Sequence, residues 1–496
     1  MLLQAISRPS FSARRWCALL LFSVVLGCAD SPSGLRSPGI HIVSGTSVTD
    51  TITAYVAQPL EVVVSDADGR PAPDMLVIFE ARSPGATESN PWPTPFGFGR
   101  GDAVQFLRAF YDTTDASGHA SAWVRLGTAT GTGVVLVRVP ELGYVDSVVC
   151  TVTPGGASRV IVSPADTVIY PGQVYPLVAH VLDRAGNERT IDHATFSLAS
   201  GLATLSNTGT ITSSSYGRVA VTAQMGAVSG TAMLSVVPHA QVAVQHHDPW
   251  NRPSLGIFLM QLDGSGRQRI ADPATEQGFG WAPDGSELVI TRGDSLDVIT
   301  PGAAERRLLQ LPGPATPDAR YSRDGTWIYF ARPTVGMYRV QRDGTGLQHL
   351  GLGGTEWGED YRPSPSPDGA SVVYGSIRSP CGQEQCIRVL DIATNADRIY
   401  SGQTFLMRGS QATWSPTTDL IAFVSSAGLG LVRADGTGQT ILASDIRAVA
   451  SMSWSPDGRW LLVSPVGGTA TLFDTQSDMR LPLPTLAEYV GASWRP

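Results

Sequence analysis

Residues 453–464 read Ser-Trp-Ser-Pro-Asp-Gly-Arg-Trp-Leu-Leu-Val-Ser. An aromatic residue leads into a Pro-Asp-Gly turn, and a short apolar run follows. Proline presets φ at the turn's second position, Asp takes the next, and Gly accepts the left-handed conformation that hands the chain to a returning strand. The unit recurs. Its aromatic position, or the residue standing in for it, falls at Trp281, Tyr321, Pro365, Trp414, Trp454 and Trp494, at intervals of 40, 44, 49, 40 and 40 residues. A self-similarity of about 40–50 residues is the period of a four-stranded propeller blade. Full turns stand as WAPDG at 281–285 and WSPDG at 454–458, with weaker copies YSRDG, PSPDG and WSPTT. The runs that follow (SELVIT, WIYFA, SVVYGS, LIAFVS, WLLVS) read as second strands. A further turn between third and fourth strands appears as LDGSG at 262–266, RDGTG at 342–346 and ADGTG at 434–438.

The phase of the repeat predicts how the ring closes. AQVAVQH, GIFLMQLDG and RQRIA supply three strands with no aromatic turn before them, whereas YVGASWRP at 489–496 supplies one strand with no followers. Joined, they complete one sheet and remove edges that would invite aggregation. The paired turn signatures resemble the TolB-like propeller family across residues 239–496, and the Gly-His and Trp-Asp pattern of WD repeats is absent. The resemblance implies a six-bladed β-propeller closed by the C-terminal strand. In that family the propeller is a protein-interaction platform of the cell envelope. This chain departs from the family in what precedes the propeller, which puts membership of the same envelope complex in doubt.

Upstream, residues 39–154 show runs such as PLEVVVSDADG, MLVIFEA, HASAWVRL and GVVLVRVP between Gly, Pro and Asp turns. Short alternating strands with frequent breaks are a sandwich pattern, so the fold class expected for the whole chain is all-β. VSDADGRPAPDMLVIFEA followed by TTDASGHASAWVRLG resembles the invasin type of bacterial Ig-like domain. Residues 155–238, with VSPADTVIYPGQVYPLVAHVLDRAGN and GTAMLSVVP, resemble the second common bacterial Ig-like type. Such modules imply spacers. Asp66, Asp68 and Asp74 lack the D-x-D-x-D-G pattern of a calcium loop and read as a hairpin turn. The insert at 82–102, carrying Trp92, Phe96 and Phe98, reads as a packed loop over the sandwich end, with an exposed aromatic contact as the alternative.

The N-terminus reads as an address. Arg8, Arg14 and Arg15 precede an apolar stretch from Trp16 to Leu26, too short for a bilayer span but suited to a secretory signal. Val25-Leu26-Gly27-Cys28 resembles a lipobox. The resemblance implies a signal peptide at 1–27, lipid on Cys28 and a tether at 28–38, and Ala29 in the following position implies outer-membrane delivery, on the periplasmic or cell-surface side. Signal cleavage near residue 30 with release is the alternative. No later segment has the roughly 20 apolar residues of a membrane span. Secretion favours disulfides, and Cys381 and Cys386 flank four residues at a hairpin tip, so they are expected to pair; two free thiols are the alternative. Cys150 lies in the alternating run DSVVCTV and reads as a small buried apolar residue.

Composition narrows the partners. All 35 basic residues are Arg, which excludes a phosphate-loop lysine and a Schiff-base lysine. The net charge of −8 becomes −11 once residues 1–27, with three Arg and no acid, are removed, and no basic cluster is present, so nucleic acid is not expected as a partner.

Strand direction alternates within a blade, so the irregular second-to-third-strand loops and inter-blade connections emerge on one rim and the regular turns on the other. HHDPWNRPS at 246–254, GLGGTEWGEDYRP at 351–363, RSPCGQEQC at 378–386 and SGQTFLMRGS at 401–410 share that irregular rim. Loops on a rigid scaffold carry function. The expected contacts are His246, His247, Asp248, Trp250, Arg252, Glu356, Trp357, Glu359, Asp360, Arg378 and Arg408. His246, His247 and Asp248 with Glu356 or Glu359 form a conceivable metal set, but no H-E-x-x-H motif supports it, and no G-x-S-x-G elbow marks a serine hydrolase. The expectation is therefore a non-catalytic lipoprotein with no cofactor or metal, binding an envelope or surface protein or a glycan. A propeller-type carbohydrate-active lyase or hydrolase is the alternative.

Overall fold

The computed structural model describes residues 36–54, 56–82, 96–98, 107–199, 201–246, 255–272, 279–315, 319–332, 335–350, 360–378, 386–399 and 409–496. Among these the chain is strand throughout, with a single 3-10 turn at Pro484–Leu486 and no helix long and apolar enough to cross a membrane. Two compact units result, Met1–Thr153 and Pro154–Pro496.

The first unit packs a three-stranded sheet (Gly39–Ser44, Leu60–Ser65, His119–Ala122) against a five-stranded one. The latter runs in the order Ser47–Thr51, Tyr144–Thr153, Gly131–Val139, Leu76–Arg82 and Ala109–Thr113. Period-two alternation places Val77, Phe79 and Ala81 of one strand inside, facing Val62 and Val64 of the other sheet. The insert returns to this core: Phe96–Phe98 pairs with Val124–Leu126, and both phenylalanines are buried. Gly133 is required beside them, since a Cβ there would lie 2.4 Å from the Phe96 ring. Trp92 lies outside the described residues. Asp66 Oδ1 accepts the backbone N–H groups of Asp68 and Arg70, each at 2.9 Å, so its carboxylate is occupied by its own turn. Cys150 is buried as a free thiol, and burial pushes its pKa up to about 12.

The second unit begins with a smaller sandwich. Its main sheet runs Asp166–Ile169, Val228–Val236, Gly217–Met225 and Thr195–Leu198, opposed by the pair Arg159–Ser163/Val178–Leu182. Asp183 anchors the turn after this pair. Burial alone would raise its pKa, but hydrogen bonds from Asn187 and the backbone N–H groups of Gly155 and Ala185 prevail and hold the carboxyl at about 2. A depressed folded-state pKa stabilises above the unfolded value of about 3.9 and loses that contribution as pH falls through the folded value. Urea titrations of the chain between pH 5 and pH 2 are therefore expected to show falling stability, less steeply in Asp183→Asn.

Six four-stranded antiparallel sheets follow. Sheet I comprises Tyr489–Trp494, Gln241–His246, Ile257–Gln261 and Gln268–Ala271, so its innermost strand comes from the far end of the chain, with Val242 opposite Trp494 and Val244 opposite Ala492. Sheets II to VI span Phe279–Gln310, Arg320–Leu350, Asp360–Ile399, Gly409–Ala443 and Val449–Pro482 in order. Each sheet alone buries too little to stand by itself. An apolar cluster joins every consecutive pair: Leu259 with Trp281, Val289 with Phe330, Tyr329 with Tyr374, Val373 with Phe423, Val424 with Trp454, and finally Leu462 with Trp494, which returns to sheet I. The turns between first and second strands close as their sequence requires: the N–H groups of Gly285, Gly325, Gly369 and Gly458 donate three residues back at 2.9, 3.0, 3.0 and 2.9 Å. Each of these glycines has φ between 67° and 73°, a region costly for any residue with a Cβ.

The boundary expected at 238/239 marks no break in packing. Val168, Tyr170 and Val237 of the second sandwich share one buried cluster with Met260, Leu262, Trp460 and Leu472 of the sheets. The Tyr170 hydroxyl accepts the Asp263 N–H at 3.0 Å, and Tyr216 meets Trp460 edge-on at 5.3 Å. The second sandwich is thereby fixed to the sheet ring as one body.

Candidate functional site

Of the eleven expected contact residues, His246, Asp360 and Arg378 lie within the described residues. His247, Asp248, Trp250, Arg252, Glu356, Trp357, Glu359 and Arg408 lie outside them, as do Cys28 and Cys381. Cys386 is disulfide-bonded, its partner being outside the described residues. His246 ends its strand opposite Tyr489, the two rings meeting edge to face at 6.0 Å.

Asp360 and Arg378 are brought together, but inward. Arg378 Nε donates to Asp360 Oδ1 at 2.9 Å, and its Nη2 donates to Asp397 Oδ2 at 3.0 Å and to the Tyr374 hydroxyl at 2.6 Å. Tyr374 in turn donates to Asp397 Oδ1 at 2.8 Å, and Arg388 Nε reaches the same oxygen at 3.2 Å. Asp360 is 3% exposed, and burial pushes its carboxyl up against the opposing pull of Arg378. These groups are committed to one another, tying the root of one irregular loop across sheet IV. Asp397, Tyr374 and Arg388 were not expected here; partners brought in by strand register leave no local motif.

A cavity of about 150 Å³ lies on the axis of the ring, at the opposite rim, where the Pro-Asp-Gly turns sit. Its wall is the repeat itself: Trp281, Tyr321, Pro365, Trp414, Trp454 and Trp494, one from each sheet, with Pro283, Pro367, Pro416, Pro456 and Pro496 at the mouth. The five aromatic side chains are only 7–9% exposed, so little of each ring is open to a ligand. At two of the six positions a serine precedes the repeat's lead residue and bonds to the next sheet. Inner strands splay apart around the axis, leaving N–H groups without ladder partners, and a hydroxyl from the preceding sheet meets them. Ser364 Oγ accepts from Trp414 N at 2.9 Å, and Ser453 Oγ accepts from Trp494 N at 2.9 Å. Trp454 Nε1 donates to the Thr413 carbonyl at 3.2 Å. Ser364 and Ser453 stand one residue before Pro365 and Trp454 in the repeat, but their role leaves no signal in the sequence.

The same rim is stapled by charge. Arg342 reaches from sheet III to Asp284 at 2.8 Å and Glu287 at 2.6 Å on sheet II, and holds the Asp284 carboxyl well below the usual range. Tyr321 donates to Glu287 at 3.0 Å. Chemically, the cavity is lined by aromatic and proline side chains, hydroxyls and the arginines Arg320 and Arg323; among the described residues no histidine or carboxylate lines it.

Residues 412–481 match the family model for the anaphase-promoting complex subunit 4 WD40 domain. An uncharacterised protein of Agrobacterium fabrum is 29% identical over 185 residues, 34% of this chain; the match spans 61% of that curated relative's length. Among solved structures, TolB from Acinetobacter baumannii aligns with a TM-score of 0.43 and 14% identity over 61% of this chain and 83% of that one. An oligogalacturonate lyase in complex with manganese aligns with a TM-score of 0.33 and 14% identity, over 50% and 73%. The consecutive four-stranded sheets, the first completed by the last strand of the chain, are arranged as a β-propeller.

Proposed function

We propose that this chain is a non-catalytic exported lipoprotein, anchored through Cys28 in the outer membrane, whose six-bladed propeller binds a protein or glycan partner. The two upstream sandwiches are Ig-like modules, the first a spacer and the second a bracket fixed to the propeller. The observation that carries the reading is the axial cavity: one residue from each sheet converges on it, and its lining suits recognition. General acid–base or metal-assisted chemistry asks for histidines or carboxylates at the reacting atoms, and the cavity's described wall is aromatic, proline and hydroxyl with arginine.

The test is capture from envelope extracts by the immobilised chain, comparing wild type with Arg323→Glu and with Met452→Gln at the cavity wall. A partner retained by wild type and lost at least tenfold in both variants supports binding at the cavity. Equal retention by all three removes the cavity from the account.

A further inference from the structure

A larger groove, of about 580 Å³, opens where the second sandwich meets the sheet ring. One wall is Tyr216, Pro238 and His239 of the sandwich; the other comes from the Pro-Asp-Gly turns of sheets II and VI and from the closing strand's Arg495. Pro456, Trp494 and Pro496 line both this groove and the axial cavity.

Two nitrogen-bearing side chains, one from each wall, are held rigid yet incompletely bonded. The Arg495 guanidinium lies over Trp281 at 5.0 Å and donates through Nε to the Gly285 carbonyl at 3.0 Å and through Nη1 to Gln241 Oε1 at 2.7 Å. Its Nη2 has no protein partner among the described residues, and no carboxylate pairs with it there. His239 is exposed and stacked on Tyr170 at 4.0 Å, and its ring nitrogens are likewise without a protein partner among the described residues. The groove's acids are already engaged: Asp284 by Arg342, and Asp457 by the Ser455 hydroxyl and the Arg459 N–H of its own turn. Arg459, the other guanidinium in the wall, forms a two-pronged pair with the buried Asp474 at 2.8 and 3.3 Å. Arg495 and His239 are therefore the basic side chains of the groove left without a carboxylate among the described residues.

From this we infer that the groove binds an acidic peptide segment of a partner protein, with Arg495 and His239 gripping its carboxylates. The inference rests on the binding reading above and deepens it by naming the partner chemistry and by making the second sandwich part of the site. A planar guanidinium held in place matches carboxylate geometry and loses little freedom on binding. The aromatic faces argue for peptide over sugar. Sugars need an open ring to lie on, whereas in the groove wall Trp460 is covered by Arg459 at 5.1 Å and by Tyr216, and Trp494 is buried.

The test measures binding of a fluorescein-labelled nonapeptide of alternating Gly and Asp to the full chain by anisotropy, beside the same peptide with Asn for Asp and a labelled oligomer of uronic acid. The expected result is binding of the Asp peptide alone, weakened by added salt. Affinity should fall about tenfold or more in Arg495→Gln, less in Arg495→Lys, and severalfold in His239→Ala, the loss of a charge-assisted hydrogen bond being of that order. His239 is exposed, so its replacement leaves the fold intact and keeps the test decisive if Arg495→Gln is unstable. Equal binding of Asp and Asn peptides, preference for the uronic acid oligomer, or wild-type affinity in His239→Ala and Arg495→Lys alike would overturn the inference. If those outcomes occur while envelope-partner capture is still lost in Arg323→Glu and Met452→Gln, the inference fails alone and the binding reading stands.

Discussion

Deleting residues 489–496 is expected to convert the second unit from a cooperatively unfolding body into one that aggregates as it is made. The deleted strand is the innermost of sheet I, paired along Gln241–His246. Its loss exposes that strand as a new edge, and an unpaired edge is a template for association with another chain. It also removes Ala492 and Trp494 from the cluster that joins sheet VI to sheet I. The lesser change Trp494→Ala keeps the ladder and empties the cluster. It should cost roughly 3–5 kcal/mol, the range for a buried aromatic truncated to Ala, read as a lower urea midpoint with unchanged slope. Size-exclusion chromatography separates the two cases: Trp494→Ala elutes as wild type, and the deletion elutes as aggregate.

Arg378→Leu should be the most damaging single substitution at the irregular rim. It leaves Asp360 and Asp397, side chains 3% and 2% exposed, without the guanidinium that bridges them, Arg388 remaining against Asp397. Removing one partner of a buried ionic cluster costs about 3–5 kcal/mol because the remaining charges stay desolvated. The pH dependence has a definite sign. Burial already pushes the Asp360 carboxyl up, and without the opposing pull of Arg378 it favours its neutral form more strongly still, so its folded pKa lies above the unfolded one. Such groups stabilise below the unfolded pKa and lose that contribution as pH rises through the folded one. The deficit relative to wild type should therefore shrink on acidification from pH 7 to pH 5. Replacing Asp360 by Leu together with Arg378 should recover part of the loss, because a matched apolar pair leaves fewer unmet charges. A deficit below about 1 kcal/mol, or one that grows as pH falls, would mean that the cluster is solvated and unimportant.

The two predictions mark different depths of legibility. Pairing of the tail with the strand at 241–246 could be counted from the repeat, because four strands per unit and an orphan strand at the end leave one arrangement. The turns were equally readable, since Pro-Asp-Gly has one comfortable conformation and the glycines adopt it. What escaped is chemistry set by register and by neighbouring sheets. Arg378 and Asp360 sit 18 residues apart on an expected contact face, and nothing local shows that Asp397 and Tyr374 would absorb the guanidinium. Ser364 and Ser453 look like ordinary strand residues until the splay of inner strands leaves the next sheet's N–H groups in need of an acceptor. Val168, Tyr170 and Val237 alternate like any sandwich core, so the shared cluster that welds the second module to the propeller is invisible in a pattern that assigns them to their own domain. For the same reason the groove beside that weld had no sequence signature.

Hydrogen–deuterium exchange of the chain, free and with its captured partner, tests the central claim directly. Binding at the axial mouth predicts slowed exchange in the turns around the cavity, at 282–286, 322–326, 415–418 and 455–459, with the irregular loops at 247–254 and 351–359 unchanged. Protection confined to those loops, or to the first unit, would contradict it.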